Sequence, residues 1–372
     1  MKQLLKKIIS LRTRQRIMSI IFGLWCAVCK CMPIKNRVLF YTIRAEGKLA
    51  DNSKAVYDAL DCDKAIFAHM LPHSLRLEFA ARYQLLTSKV IVTDDYVRYM
   101  RWMNLRKNQQ LIQIWHACGA FKKFGLDAPS RLSPAEEKAT HAQYTAVAVT
   151  SESCRKYYAA AFGIDEKICL PLGLPRTDSV INQADTLRES VYSRHPEFIG
   201  KKLYLYCPTF REDDGQQIEY DPKIDWQKLS EALNDDEVFI IRRHPIMKYS
   251  LTDKEYSRIV DLSSESTLEL TAASDVIITD YSSVIYDACL LDVPCVFYCP
   301  DYKNYERGFY LRFPEDLPGE MVTDCSALLD TIRKTAISPD KEKVKKFKAD
   351  QLSACDGKSA ERTAKLIKEY LK

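Results

Sequence analysis

The sequence predicts an α/β protein built from two sheet-and-helix halves that face a cleft. Short runs of aliphatic and β-branched residues alternate with helical spacing along most of the chain, and a polar segment divides these runs into two sets. Polar side chains directly follow several of the runs, which is typical of the carboxyl ends of parallel strands at a binding cleft. With 372 residues, 47% of them hydrophobic and 28% charged, the chain is long enough for two domains that each have a core.

The amino-terminal segment, residues 1–36, is basic and amphipathic. Residues 1–37 contain nine Lys or Arg and no acid, and subtracting this +9 from the net charge of +5 leaves −4 for the rest, which argues against a nucleic-acid-binding protein. The apolar run Ile17–Val28 is far shorter than the roughly 20 residues of a membrane-spanning helix. We therefore expect the segment to lie on anionic lipid of the cytoplasmic leaflet. A signal peptide and an ordinary first core helix are the alternatives.

Cysteine usage indicates a reduced cytosolic setting. The 13 cysteines are an odd number scattered through predicted strands and helices, which does not suggest a disulfide framework. Cys26, Cys29 and Cys31 resemble half of a metal site, but no second Cys or His pair at ligand spacing accompanies them. We interpret them as small buried hydrophobic residues.

The first half, residues 37–195, has βαβ architecture. Its predicted strands are Val38–Ile43, Ala65–His69, Val90–Thr93, Leu111–Trp115, Ala146–Thr150 and Ile168–Leu172. A polar helical stretch over about residues 184–192 then leads to Arg194-His195-Pro196-Glu197, which indicates a linker.

The second half, residues 196–340, repeats the alternation of strands and helices. Its predicted strands are Leu203–Cys207, Val238–Arg242, Ile259–Asp261, Val276–Thr279 and Cys295–Tyr298. The remaining residues, 341–372, have helical spacing with a break at Asp356-Gly357. We expect this last segment to pack back on the first half.

A phosphate site is predicted where the strand Val276–Thr279 ends. Ser282 and Ser283 precede a change to helical spacing, so they stand at a helix N-terminus. Free backbone N–H groups, the positive end of the helix dipole and two hydroxyls would converge there on an anion. The alternative is an ordinary serine N-cap.

A histidine follows a predicted strand in the first half. His116 comes directly after Leu111–Trp115, and Lys123 lies a few residues further on. A histidine at the carboxyl end of a strand can accept a proton near neutral pH. The alternative is a histidine that is hydrogen-bonded within a turn.

Three cationic or polar groups stand in corresponding positions of the second half: Arg211, Arg243 and His244. With the hydroxyl groups of residues 279–283 they would supply the cations and donors that two linked phosphates require. No Walker loop or G-x-G-x-x-G motif is found, which disfavours a P-loop kinase and a dinucleotide dehydrogenase, and no strong metal motif is found either. We therefore expect transfer from an activated diphosphate donor, with no cofactor and no metal.

Six short motifs make the chain resemble the CDP-glycerol glycerophosphotransferases, which build teichoic acids and related polyol-phosphate glycans in bacteria. The motifs are Trp115-His116-Ala117-Cys118-Gly119 with Lys123 and Gly125, Gly173-Leu174-Pro175-Arg176-Thr177-Asp178, Pro208-Thr209-Phe210-Arg211, Arg243-His244-Pro245, Thr279-Asp280-Tyr281-Ser282-Ser283, and Tyr305-Glu306-Arg307-Gly308-Phe309. Each is weak alone, but together they cover residues 37–319 in order. The family more often has glycine where this chain has Ala117, a small change next to the histidine.

The resemblance implies a GT-B fold, in which two Rossmann-like domains face a central cleft and the carboxy-terminal domain holds most of the nucleotide donor. It also implies an activity. Glycerol phosphate or ribitol phosphate would pass from CDP-glycerol or CDP-ribitol to a hydroxyl of a polyprenyl-diphosphate-linked glycan, with release of CMP. Such an enzyme would be a peripheral protein on the cytoplasmic face of the cell membrane.

The resemblance further implies roles for individual residues. His116 would deprotonate the acceptor hydroxyl, and His244 would stabilise or protonate the departing phosphate. Asp280 would orient its neighbours or contact the donor. The residues expected to bind the donor's phosphates are Arg211, Arg243, Thr279, Ser282, Ser283 and Lys123.

Two other functions remain open at this stage. A GT-B glycosyltransferase would use the same phosphate-binding groups, but it would release a nucleoside diphosphate. The third candidate is a membrane-docked glycan-binding protein without activity.

The sequence does not distinguish a glycerol donor from a ribitol donor, nor a primase from a polymerase, although the absence of a long extra domain favours one or a few additions. Asp178 is expected to cap the next helix or to act in the site, and Glu306 and Arg307 to brace a loop.

Overall fold

Two parallel β-sheets with helices on both faces form the protein. The computed structural model describes residues 11–49, 51–128, 132–213, 216–305 and 308–372. One sheet is built from the amino-terminal half of the chain and the other from residues 202–322. The two α/β halves predicted from the sequence are therefore confirmed.

The strands of the first sheet follow the predicted runs closely. They are β1 Lys35–Thr42, β2 Lys64–Ala68, β3 Ser88–Thr93, β4 Gln110–Gln113, β5 Ala146–Ala148 and β6 Cys169–Leu170. All pair in parallel, in the order β2-β1-β3-β4-β5-β6. Alternate residues of β1 serve different cores, since Leu39 packs on one face while Val38 and Phe40 pack on the other. Strand β4 ends two residues earlier than predicted, because Trp115 adopts a φ of 50°.

The helices of this half precede, connect or follow its strands, and the last of them packs through Val191 on the core of the sheet formed by residues 202–322. They are α1 Leu11–Cys31, α2 Asp51–Asp58, α3 Leu75–Thr87, α4 Pro134–His141, α5 Arg155–Phe162, α6 Thr177–Asn182 and α7 Ala184–Arg194. A capping box starts α4: the Ser133 hydroxyl accepts the Glu136 N–H, and the Glu136 carboxylate accepts the Ser133 N–H. Helix α7 ends at Arg194, the first residue of the segment that the sequence predicts as a linker.

The strands of the second half are β7 Lys202–Cys207, β8 Arg211–Asp213, β9 Gln216–Ile218, β10 Glu237–Ile241, β11 Ile259–Asp261, β12 Val276–Thr279, β13 Cys295–Tyr298 and β14 Gly319–Val322. The second sheet has the order β11-β10-β7-β12-β13-β14, again fully parallel, and a short antiparallel hairpin, β8–β9, follows β7. The helices of this half are α8 Trp226–Ala232, α9 Thr267–Ala273, α10 Val284–Leu290 and α11 Leu328–Ile337. The hairpin and β14 were not predicted.

The last two helices, α12 Lys341–Leu352 and α13 Ser359–Leu371, return to the first sheet. Helix α13 contacts α2 and β3, and the Lys89 ammonium donates to the Leu371 carbonyl at 2.7 Å. Asp178 accepts the backbone N–H groups of Ser359 at 2.9 Å and Ala360 at 2.8 Å. This aspartate therefore caps α13, about 180 residues further along the chain, and not the next helix.

Helix α1 lies against α3 and leaves one apolar face uncovered. Phe22 and Trp25 pack edge-to-face on Phe79, and the Trp25 indole N–H donates to the Phe79 carbonyl at 3.0 Å. Ile20 and Leu24 on the other side are each 65% exposed. Residues 1–10 of the predicted membrane segment lie outside the described residues. Within the described part, none of the helices has both the length and the apolar character needed to cross a bilayer.

Candidate active site

A strained turn after β4 carries the histidine of the first domain. Trp115 has a φ of 50°, in the left-handed region that non-glycine residues rarely adopt. Two side chains hold it there: Trp115 N–H donates to Gln113 Oε1 at 2.8 Å, and its carbonyl accepts from Asn52 Nδ2 at 2.9 Å. Strain of this kind costs free energy and persists where the surrounding structure fixes it, which is common at functional sites.

The His116 imidazole has a defined tautomer. Its Nδ1 lies 3.0 Å from the Asp94 carbonyl oxygen, which can only accept, so Nδ1 carries the hydrogen and Nε2 keeps a free lone pair in the neutral ring. The Asp95 carboxylate lies 4.0 Å from Nδ1, and the Trp115 ring stacks on the imidazole with centroids 4.3 Å apart. Burial, followed by the positive charge of Arg44, lowers the pKa of His116. A neutral imidazole with an open Nε2 is suited to accept a proton.

The loop after His116 meets the second domain. A Cβ on Gly119, whose φ is 62°, would come within 2.2 Å of the Tyr286 ring, so the close approach requires glycine. Lys123 N–H donates to the Gly308 carbonyl at 2.9 Å, and the aliphatic part of the Lys123 side chain lies against Gly308. Lys122 lies with its ammonium 5.5 Å from the centroid of the Tyr305 ring. Both lysines are therefore at the junction of the two domains.

Arg211 is the centre of an ion-pair cluster in the second domain. Its Nη2 donates to Asp280 Oδ2 at 2.8 Å, and its Nε donates to Asp301 Oδ2 at 2.7 Å. Its Nη1 donates to the Thr209 carbonyl at 2.8 Å and to Oγ1 of the same residue at 2.7 Å. Burial lowers the pKa of Arg211, but the charges of Asp280 and Asp301 outweigh burial, so the net pKa is raised. The N–H groups expected to bind phosphate are thus engaged by protein oxygens.

The residues around β12 divide into buried and accessible groups. Asp280 has no exposed side-chain surface and also accepts the N–H groups of Thr209 at 2.9 Å and Tyr281 at 2.6 Å. The Thr279 hydroxyl is buried and donates to the Cys207 carbonyl at 2.7 Å. Ser282 is half-buried, and its Oγ accepts the N–H of Val284 at the start of α10, while Ser283 is exposed. Of the predicted hydroxyl groups, those of Ser282 and Ser283 are accessible.

His244 is exposed beside β10. Its Nδ1 accepts the Ile246 N–H at 3.3 Å, which leaves Nε2–H as a donor in the neutral ring, and the Phe210 ring lies 4.8 Å away. Burial, followed by the positive charges of Arg242 and Lys122, lowers the pKa of His244. Lys122 belongs to the first domain, so this effect crosses the junction. His244 can therefore donate a hydrogen bond to an anion in its neutral form.

The two arginines before His244 have different surroundings. Arg243 Nε donates to Asp261 Oδ2 at 2.9 Å and its Nη1 donates to the Met247 carbonyl at 3.1 Å, so this side chain braces its own loop. Arg242 Nε donates to the Glu265 carbonyl at 2.9 Å. The positive charge of Arg242 contributes to the lowered pKa of His244.

One further ion pair joins the domains. Arg176, from the loop before α6, donates through Nη1 to Asp287 of α10 at 2.8 Å, and its own N–H donates to Asn52 Oδ1 at 2.8 Å. Asn52 therefore links the turn at Trp115 to this pair. Sequence reasoning missed Asn52 because its partners, Trp115 and Arg176, are distant in the chain. It missed Gln113 because a glutamine at the end of an apolar strand gives no signal that it fixes the turn two residues further on.

Two other expectations concern metals and a loop. Among the residues that the structure describes, no group of three or more His, Cys, Asp or Glu is arranged to hold a metal ion. Residues 306 and 307, which the sequence analysis expected to brace a loop, lie outside the described ranges.

Comparison with known proteins relates the site to a family. A family model described as CDP-Glycerol:Poly(glycerophosphate) glycerophosphotransferase matches residues 26–369. The teichoic acid ribitol-phosphate primase of Bacillus spizizenii is 33% identical over 96% of this chain and 97% of its own length. The teichoic acid poly(ribitol-phosphate) polymerase of the same organism is 31% identical over 91% of this chain and 57% of its own length. Among solved structures, the wall teichoic acid polymerase TagF is 22% identical, with a TM-score of 0.75 over 97% of this chain and 96% of that chain, and has a similar fold.

Proposed function

The chain belongs to the CDP-glycerol:poly(glycerophosphate) glycerophosphotransferase family, and on this basis we propose that it transfers glycerol phosphate or ribitol phosphate from a CDP-alditol to an acceptor hydroxyl in teichoic acid synthesis. The observation that carries the proposal is the family match itself, which extends over both domains and over the junction where His116 and His244 lie. In the reaction, the acceptor oxygen attacks the alditol-linked phosphorus. The bond from that phosphorus to the bridging oxygen breaks, and CMP leaves.

His116 is proposed as the general base. The hydrogen bond from Nδ1 to the Asp94 carbonyl leaves Nε2 to take the proton of the attacking hydroxyl. The imidazolium that results is stabilised by the Asp95 carboxylate, 4.0 Å from Nδ1. The lowered pKa keeps the imidazole unprotonated at neutral pH, as a base requires.

The donor's phosphates are proposed to bind at the accessible groups of the second domain. His244 offers its Nε2–H to the leaving phosphate, and the hydroxyls of Ser282 and Ser283 donate to the diphosphate at the start of α10. Lys123, fixed on Gly308 by its main chain, supplies a cation from the first domain.

The remaining predicted binding residues are proposed to form the frame behind this surface. Arg211, Asp280 and Thr279 are joined to one another or to neighbouring strands by buried hydrogen bonds, and Arg243 braces the loop that carries His244. A frame of this kind holds the phosphate-binding side chains in position without itself contacting the phosphates.

Helix α1 is proposed to dock the enzyme on the cytoplasmic membrane, where a polyprenyl-diphosphate-linked glycan would serve as the acceptor. Its exposed apolar residues are spaced as one helical face: Ile17, Ile20, Ile21, Leu24 and Val28. The segment that contains this helix, residues 1–37, carries a charge of +9, which favours binding to anionic lipid. Docking would place the site at the surface that holds the acceptor and raise the acceptor's effective concentration.

The decisive assay measures CMP released from CDP-glycerol and from CDP-ribitol, each with a disaccharide-diphospholipid acceptor, and the mass of the product. Acceptor-dependent CMP release with a mass gain of one or more alditol phosphates is expected, and the active donor identifies the alditol. No release from either donor, together with nucleoside diphosphate release from a nucleotide sugar, would refute the proposal in favour of sugar transfer.

A further inference from the structure

A buried glutamine near the end of α12 contacts both domains. Gln351 is 3% exposed, and its main-chain carbonyl accepts from Thr150 Oγ1 at 2.6 Å. The preceding carbonyl, that of Asp350, accepts from Ser151 Oγ at 2.6 Å. The end of α12 is thus anchored to the segment that follows β5.

The side chain of Gln351 holds the loop that carries His116. Its Oε1 accepts the backbone N–H of Ala120 at 3.0 Å, and the Cys154 thiol lies 3.6 Å from the same oxygen. Ala120 is buried, so this amide needs an acceptor within the protein. Ala120 lies four residues after His116.

The same oxygen faces the second domain. Tyr286 Oη lies 3.5 Å from Gln351 Oε1, and the Tyr286 ring lies 5.4 Å from that of Phe347 on α12. Tyr286 belongs to α10, the helix that follows Ser282 and Ser283. Because the ring also occupies the space beside Gly119, the histidine loop, α10 and α12 meet at one point.

We propose that Gln351 is a positioning residue for the transfer reaction, an inference that rests on the proposed function. One amide oxygen sets the histidine loop against α10, and so fixes the distance between the base on the first domain and the phosphate groups on the second. A displacement of about 1 Å between reacting groups can cost about 100-fold in rate. Tyr158 Oη independently donates to the Gly119 carbonyl at 3.0 Å, so the loop stays tethered when Gln351 is changed.

The test compares Gln351→Leu, which has similar size but no acceptor, with Gln351→Glu, which retains an acceptor oxygen. Lys345→Leu, on the exposed side of the same helix, is the matched control. For each variant we would measure hydrogen exchange of the peptide 117–121 by mass spectrometry, the dissociation constant of the CDP-alditol, and kcat with KM for donor and acceptor.

Gln351→Leu should exchange faster in residues 117–121 and lose at least about 10-fold in kcat, with donor binding within twofold of wild type. Gln351→Glu should recover most of both, and Lys345→Leu should match wild type. Unchanged exchange in Gln351→Leu would overturn the loop contact. Equal losses in kcat and donor affinity, or no rescue by glutamate, would overturn the positioning role in favour of a general structural one. Hydrogen exchange does not depend on turnover, so it tests the loop contact even in an inactive protein. A wild-type protein without transferase activity would refute the proposed function, which is a separate result.

Discussion

Replacing Arg211 by methionine should destabilise the second domain substantially. The guanidinium donates to Asp280 and Asp301, and the Asp280 side chain has no exposed surface. Without the cation, a buried carboxylate loses its partner, and breaking such a pair costs about 3–5 kcal/mol. We therefore expect Arg211→Met to lower the free energy of unfolding by about 3–5 kcal/mol, a large part of the roughly 5–15 kcal/mol that stabilises an ordinary domain.

Urea denaturation followed by circular dichroism and tryptophan fluorescence measures this change, and Trp226 reports from the core of the same domain. Arg312→Met is the matched control. Arg312 also pairs with an aspartate, Asp316, but its side chain is 73% exposed and solvent screens the pair, so the unfolding midpoint of Arg312→Met should stay close to that of wild type. Adding Asp280→Asn to Arg211→Met should restore part of the stability, because the unpaired charge is removed.

An unchanged unfolding midpoint in Arg211→Met, combined with lost CDP-alditol binding, would contradict this expectation. Arg211 would then be a phosphate ligand, as the sequence alone suggests, and the bracing role would be wrong.

Three further outcomes are expected. His116→Ala should lower kcat by about 10²–10⁴-fold while the dissociation constant of the donor, measured by calorimetry, is retained; normal turnover would remove this residue from the mechanism. In wild type, activity should fall as the pH decreases through the pKa of His116, because protonation removes the base. Since that pKa is lowered, the fall should be centred below about pH 6.5, the ordinary value for histidine; a fall centred above that value would contradict the assignment. The double variant Ile20→Glu, Leu24→Glu should bind phosphatidylglycerol vesicles at least about 100-fold more weakly than wild type in a flotation assay. Ile337→Glu, at a residue of α11 that is 85% exposed, should bind like wild type. Equal binding by wild type and both variants would exclude α1 as the docking surface.

The strands were predictable where burial on both faces forces a continuous apolar run. Val276–Thr279 is such a run, and its bounds in the structure equal those predicted. Gly319–Val322 was missed because it is an edge strand with one well-buried residue, which leaves no comparable pattern. The hairpin β8–β9 is polar in sequence and gives no strand signal either.

The site was predictable as a set of positions but not as a set of pairings. Polar residues after strands mark the junction, which is how His116 and His244 were found. The pairing of Arg211 with Asp280 depends on the register between β7 and β12. Cys207 lies opposite Thr279 in this parallel pair, so the residues that follow the two strands come together. No local pattern reveals that Asp280 meets Arg211 across 69 residues of chain.

The return of the last helix to the first sheet has a consequence for biosynthesis. Ala364 and Ile367 of α13 belong to the same core as Val38 and Phe40 of β1, so part of one face of the first sheet stays uncovered until α13 has been made. At about 5–20 residues per second, the ribosome needs roughly 9–35 s to synthesise residues 196–372. Throughout that interval the nascent first domain exposes an apolar surface, which is the situation in which a chaperone engages a chain. We expect the first domain to complete folding only after α13 has been synthesised, together with the second domain.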